Sequence, residues 1–314
     1  MSKGTRNIAA SIRQKLKNKA ALDKRPFAEL LQYYAMERFL YRLTQSEHTS
    51  RFILKGALML RVWQSPEFRP TMDIDLLGKT SNEVDDICGQ ITDIISIDIN
   101  DGLMFDPETV KGERIKEDAD YEGVRVRFIG TLENARVNMQ IDVGFGDIIH
   151  PDAFEAALPT ILNSPVPKLL CYSRESAIAE KFEAMLKLGE LNSRIKDFYD
   201  IWLLSRQFEF EGSQLARAIE LTLKNRGTEI PDIITAFTGD FISSKQGQWT
   251  VFLKRLRQDH LPTDFSEVVT GVEAFIQPIA TSLLASTAFS QKWTISGYWE
   301  LQPERVNPIG TAIL

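Results

Sequence analysis

Two aspartates, Asp73 and Asp75, stand inside the apolar segment MDIDLL. On a strand, side chains two positions apart share a face, so the pair would lie side by side while Ile74 and Leu76 enter a core. Adjacent carboxylates repel unless a cation or a proton sits between them. A hard divalent cation with oxygen ligands is the simplest occupant. A third carboxylate, Asp142, lies in VNMQIDV, where Val137, Met139, Ile141 and Val143 alternate with Asn138, Gln140 and Asp142. That alternation puts Asp142 on the polar face of a second strand. Together Asp73, Asp75 and Asp142 make a cage for one or two Mg²⁺ ions, which is what metal-assisted phosphoryl or nucleotidyl transfer needs. Upstream, the run FILKGALML carries Lys55 and Gly56. A glycine at a helix start allows phosphate oxygens to approach the backbone.

Several elements must position these groups. The periodicity predicts helices over 5–20 and 26–46, with Phe27, Leu30, Leu31, Tyr34, Met36, Phe39, Leu40 and Leu43 as core. A third helix is expected over 50–63, ended by the prolines of QSPEFRPT, with MDIDLL as the first strong strand. Residues 82–96 read as an amphipathic helix with Val84, Ile87, Ile91, Ile94 and Ile95 on one face. The acidic stretch 105–120 reads as irregular. GVRVRFIG and VNMQIDV then form two strands around the hairpin connection GTLENA. An extended proline-rich connector follows from Pro151 to Pro167. Beyond it, helices are expected near 173–187, 196–206, 213–226, 230–238, 246–257 and 264–285, and a short strand and strap in the tail.

The order of helix with glycine, DxD strand and later strand aspartate describes a polymerase-beta-like nucleotidyltransferase. The expected fold class is α+β: a mixed sheet with flanking helices and a helical C-terminal domain. The expected division is 1–46 for N-terminal helices packed on the core, 47–164 for the nucleotidyltransferase core and 165–314 for the mainly helical remainder.

Composition narrows the classes. A net charge of -6 excludes a general nucleic-acid coater. Eight basic residues between Lys3 and Arg25 face one acid, Asp23, in a segment that reads first as a solvated helix face and second as a contact for RNA phosphates or an acidic partner. Two cysteines, Cys88 and Cys171, without metal-ligand spacing argue against a zinc or disulfide framework and fit a reducing cytoplasm. No membrane span or signal-peptide core is read in the chain.

The segments LKGALMLRVW…RPTMDIDLLG, NMQIDVGFGD and RESAIAEKFEAMLKLGELNSRIKDFYDIWLL resemble the AbiEii/AbiGii nucleotidyltransferase toxin family, toxic partners in toxin–antitoxin and phage-defence (abortive infection) systems related to the MenT toxins. The resemblance implies roles. Lys55 and Gly56 belong to the motif that approaches the nucleotide phosphates. Thr71 and Asp73 are a pair needed for activity, Asp75 is the second metal carboxylate, and Asp142 completes the cage or acts as base. Lys181 contacts the triphosphate, and Asp197 is required for activity. Lys196 and Asp200 flank Asp197 and either could share its site; they also read as a helical i,i+4 pair, with Asp197 facing elsewhere. Asp147 reads as a turn cap, and Arg61 and Arg69 either as phosphate ligands or as structural partners of acids. The implied substrate is an NTP, the implied acceptor the 3′ end of a tRNA, and the implied partner a cognate antitoxin. An acceptor hydroxyl on a small molecule or a protein, or nucleotide binding without turnover, are the alternatives.

Overall fold

The computed structural model describes residues 3–65, 69–118, 121–256 and 260–301, with side chains described from residue 8 and left aside at 116–118 and 121–122. Pro66 of the breaker, the side chains of Lys3 and Arg6, and the tail from 302 onward lie outside the described residues. The chain divides into two compact units, residues 1–173 and 174–314.

The first unit opens with helices α1 (Lys3–Leu22) and α2 (Phe27–Thr44). Strand β1 (Phe52–Lys55) leads through a tight turn into the short helix α3 (Met59–Val62), and β2 (Ile74–Gly78) and helix α4 (Val84–Ser96) follow. Strands β3 (Leu103–Asp118), β4 (Tyr121–Leu132), β5 (Ala135–Phe145), β6 (Phe154–Ala157) and β7 (Lys168–Cys171) complete it. They form one mixed sheet in the order β3-β4-β5-β2-β1-β7-β6. β2 is central, parallel to β5 and antiparallel to β1. α2 is buried along most of its length, and Phe39 packs its ring against Phe105 and Phe128 of the sheet. Buried Arg42 holds Asp101 through two hydrogen bonds of 2.8 and 3.1 Å, which anchors the start of β3 to this helix.

Two expectations for this unit are corrected. Residues 50–63 are not one helix: Phe52–Lys55 is a strand with all four residues buried, between β2 and β7. A short continuous apolar run fits a buried strand or a buried helix equally well, and periodicity does not separate them. Gly56, at φ +73°, then breaks the strand. The acidic stretch is not irregular either. Through Asp118 it is β3, a long edge strand paired with β4, whose register shifts between Asp106 and Lys111; Ala119 and Asp120 lie outside the described residues. Pro107 lies at that shift, where an edge strand tolerates a missing N–H donor.

The second unit carries α5 (Arg174–Leu188), α6 (Ile195–Gln207), the two-residue strand β8 (Phe210–Glu211), α7 (Gly212–Arg226), α8 (Gly239–Leu256) and α9 (Phe265–Leu284). Strands β9 (Gln291–Trp293) and β10 (Trp299–Leu301) join β8 in a small antiparallel sheet. The helix expected over 230–238 is reduced to a single 3-10 turn at Thr235–Phe237. Phe198, Tyr199, Trp249 and Phe265 interlock at the centre of the helices, and Phe275, Trp293 and Trp299 under the small sheet.

Candidate active site

Register alone gathers the acidic residues of the first unit. Lys55 of β1 faces Asp75 of β2, Asp75 faces Asp142 of β5, Asp142 faces Arg125 of β4, and Arg125 faces Glu113 of β3. Directly opposed residues on paired strands point to the same side of a sheet, so these five form one charged row. The adjacent row is pure core, with Leu54 opposite Leu76 and Leu76 opposite Val143. Asp75 and Asp142 are therefore neighbours by hydrogen-bonding geometry, although roughly 70 residues separate them in the chain.

Asp73 sits in the bend just before β2 rather than inside the strand. Its bend is fixed from two sides. The Thr71 hydroxyl accepts the Asp73 N–H at 3.4 Å and donates to the Asp73 carbonyl at 3.3 Å. From α2, the Tyr33 hydroxyl accepts the Thr71 N–H at 3.2 Å, and Gln32 donates to the carbonyls of Met72 and Asn138 at 2.9 and 3.1 Å. Burial pushes the Tyr33 phenol above its ordinary value, so it stays a neutral hydroxyl. Arg61 stacks over the same ring, 4.9 Å from its centroid.

The Lys55-Gly56 turn closes the row on the β1 side. A Cβ at Gly56 would stand 1.9 Å from Asp75 Oδ2, so only glycine lets the backbone lie against that carboxylate. Lys55 is buried and bonds Asp147 Oδ2 at 2.8 Å, with its ammonium 5.7 Å from the centre of the Tyr172 ring. Asp147, expected as a turn cap, is thus the ion-pair partner of a candidate phosphate-binding lysine.

Asp142 is 8% exposed and is held by a bidentate Arg125, with Nε at 2.8 Å and Nη2 at 2.7 Å from its two oxygens. Gln140 adds a third contact at 3.3 Å. The bond to Asp142 raises the Arg125 guanidinium above its ordinary value, with smaller effects from the charges of Asp73 and Glu113. Sequence reasoning passed over Arg125, yet the signal was there. In a hairpin closing at Leu132 and Ala135, partners step apart symmetrically, which sets Arg125 opposite Asp142.

In the second unit, Lys181 of α5 reaches Asp197 at 3.0 Å and Asp200 at 2.8 Å on α6. Asp197 and Asp200 do not face apart as expected; three positions separate them, so they share a helix face and converge on one lysine. Lys196 is exposed, and the expected Lys196–Asp200 pair gives way to Lys181–Asp200.

Asp73, Asp75 and Asp142 offer only hard carboxylate oxygens, with the Gly56 backbone against Asp75 and Arg125 on both oxygens of Asp142. This donor set fits Mg²⁺. Among the described residues, Glu47, His48 and Asp93 bring ligand atoms within 4.8 Å of one another, with both acids at the surface. No helix among the described residues is long and apolar enough to cross a membrane.

The model of the nucleotidyl transferase AbiEii toxin family, of type IV toxin–antitoxin systems, matches residues 38–271. Among solved structures, the crystal structure of JHP933 from Helicobacter pylori is 14% identical, with a TM-score of 0.45 over 82% of this chain and 94% of that one. A second structure from H. pylori, described as a candidate nucleotidyltransferase, is also 14% identical, with a TM-score of 0.45 over 83% of this chain and 98% of its own. No curated protein sequence matches.

Proposed function

We propose, from the premise that this chain belongs to the AbiEii nucleotidyl transferase toxins of type IV toxin–antitoxin systems, that it moves a nucleotide from an NTP to the 3′ end of a tRNA with the help of Mg²⁺. Family membership makes the chain a nucleotidyltransferase toxin with an NTP substrate and an antitoxin partner. The acceptor, the metal and the residue roles are our reading. The observation that carries it is the register that sets Asp75 beside Asp142, with Asp73 one step outside the strand.

Bound divalent cations would supply charge neutralisation at the triphosphate and activation of the acceptor hydroxyl. Asp73 and Asp75 would hold them, with Asp142 as the third carboxylate. Thr71 fixes the bend from which Asp73 projects. Gly56 keeps a side chain away from Asp75, and the Lys55-Gly56 turn is the segment assigned to the phosphates. The acceptor oxygen forms a bond to the α-phosphorus, the bond to pyrophosphate breaks, and the hydroxyl proton passes to a carboxylate of the row. Asp142 is the weaker base, since Arg125 occupies both of its oxygens. Lys181 and Asp197 keep the roles the resemblance implies, triphosphate contact and a requirement for activity.

RNA as acceptor draws support from α1. Arg13 is paired with Glu133 and Lys19 with Asp23, but Lys15, Lys17 and Lys24 are exposed. The cytoplasm, where tRNA and NTPs coexist, is the proposed location. The test is incubation of the purified chain with each radiolabelled NTP, Mg²⁺ and total tRNA. We expect label on the tRNA 3′ end from wild type and none from Asp73→Ala. Equal signals from the two, with no NTP transferred, would sink the proposal. Label on the protein or on a small molecule would move the acceptor to one of the alternatives.

A further inference from the structure

The charged row contains a cation that the activity has not yet used. Arg125 faces Asp142 across the β4–β5 hairpin, and its two hydrogen bonds both go to that carboxylate, through Nε and Nη2. Its register neighbour on the other side, Glu113, bonds Arg127 at 2.6 Å instead. The two arginines of β4 therefore divide the labour. Arg127 is half exposed and engaged with Glu113 and Gln140 in a solvated pair. Arg125, with 29% of its side chain exposed, points its fork into the acidic row.

Two physical facts bear on that placement. Asp142 and Asp75 are adjacent like charges, and such a pair is held at lowest cost with a cation against it. A planar guanidinium also matches a phosphate as well as it matches a carboxylate, through the same two-pronged geometry. The Nε and Nη2 edge that now grips Asp142 would be released whenever a divalent cation claims that carboxylate.

We propose that Arg125 is a resident counter-cation: it occupies Asp142 until a divalent cation takes the carboxylate, and its freed guanidinium then binds a phosphate of the incoming nucleotide. The inference rests on the nucleotidyl-transfer reading and deepens it. It differs in sign from a purely structural ion pair. If Arg125 competes with the metal, removing it strengthens metal binding and weakens nucleotide binding. If it merely positions Asp142, removing it weakens both.

The test uses the full-length chain and two binding titrations. Mn²⁺ alone is titrated by electron paramagnetic resonance, and the α,β-methylene analogue of each NTP is titrated by calorimetry with Ca²⁺ present. We expect Arg125→Met to bind Mn²⁺ about five- to tenfold tighter than wild type, the scale of one partly exposed charge-assisted pair. We expect its affinity for the analogue to fall about tenfold or more. Asp142→Asn in the Arg125→Met background should erase the gain in Mn²⁺ affinity. Arg125→Lys, which keeps the charge but not the fork, should shift both affinities in the same directions by less, and it serves if the Met variant melts early. Unchanged or weaker Mn²⁺ binding by a folded Arg125 variant overturns the inference. If wild type transfers label and Asp142→Asn weakens Mn²⁺ binding, that failure leaves the transferase reading intact. If wild type transfers nothing and neither Asp73→Ala nor Asp142→Asn alters Mn²⁺ binding, the underlying reading falls instead.

Discussion

The strand-borne row around Asp75 and the helix-borne trio around Lys181 are both small clusters with more acid than base, built by different means. In the row, pairing register forces Asp75 and Asp142 together, and flanking groups leave Asp73 and Asp75 half exposed. In the trio, Asp197 and Asp200 are buried at 4% and 3% exposure, and Lys181 bridges them. Asp197 also lies in the first turn of α6, where the helix dipole favours a negative charge. In the trio one ammonium bridges both acids, whereas in the row Arg125 is turned to Asp142 and Asp75 stands beside that pair. Substitutions in the row should therefore cost activity, and substitutions in the trio should cost stability as well.

The largest effect is expected in the row. Asp75→Asn should lower nucleotide transfer by about a thousandfold, or about 4 kcal/mol, with little change in melting temperature because the amide is nearly isosteric with the carboxylate. A melting temperature that drops with activity would break the contrast. Next comes Lys181→Met, which strips two buried carboxylates of their ammonium and should cost about 3 kcal/mol in urea unfolding. Loss of transfer at full stability would instead give the trio a purely functional role. Gly56→Ala combines a positive φ with a Cβ driven into Asp75, and about 2 kcal/mol with a matching loss of transfer is expected. Retention of both would mean the turn has room to shift.

The smallest effect belongs to Glu37 of α2, a buried acid that joins neither cluster. Its Oε2 accepts the Ile161 N–H at 2.8 Å, while Arg38 Nε lies 3.6 Å from Oε1, too far for a hydrogen bond. Burial pushes its carboxyl up to about 7. A raised carboxyl binds its proton more tightly in the folded chain than in the unfolded one. Its contribution is thus fully present below the unfolded value near 4.5 and lost as pH rises through about 7. Glu37→Gln should flatten that decline, by about 1 to 2 kcal/mol at pH 8, in chemical denaturation followed across pH. A wild-type profile with no slope between those values would contradict it.

Much of this architecture was legible from residues alone. The alternation in VNMQIDV gave β5 and the polar face of Asp142, and the amphipathic period of 84–96 gave α4. The strand at Phe52–Lys55 was not legible, because three apolar residues and a lysine, all four buried, carry no period. The long edge strand β3 was hidden by its charges and by Pro107, which an edge tolerates. The acids of the site were visible as types at spacings, but not all of their partners were. Asp147 acquires meaning only once the fold shows that Lys55 reaches it, whereas Arg125 falls opposite Asp142 by counting back from the hairpin closure.

The parallel pairing of β2 with β5 has a consequence for the cell that makes this chain. Asp75 leaves the ribosome long before Asp142, and no local hairpin can bring them together. The pairing waits for α4, β3 and β4 to be synthesised and folded, a non-local closure of the slow kind. The carboxylate row is complete only when β5 slots in beside β2, after everything between them has been made.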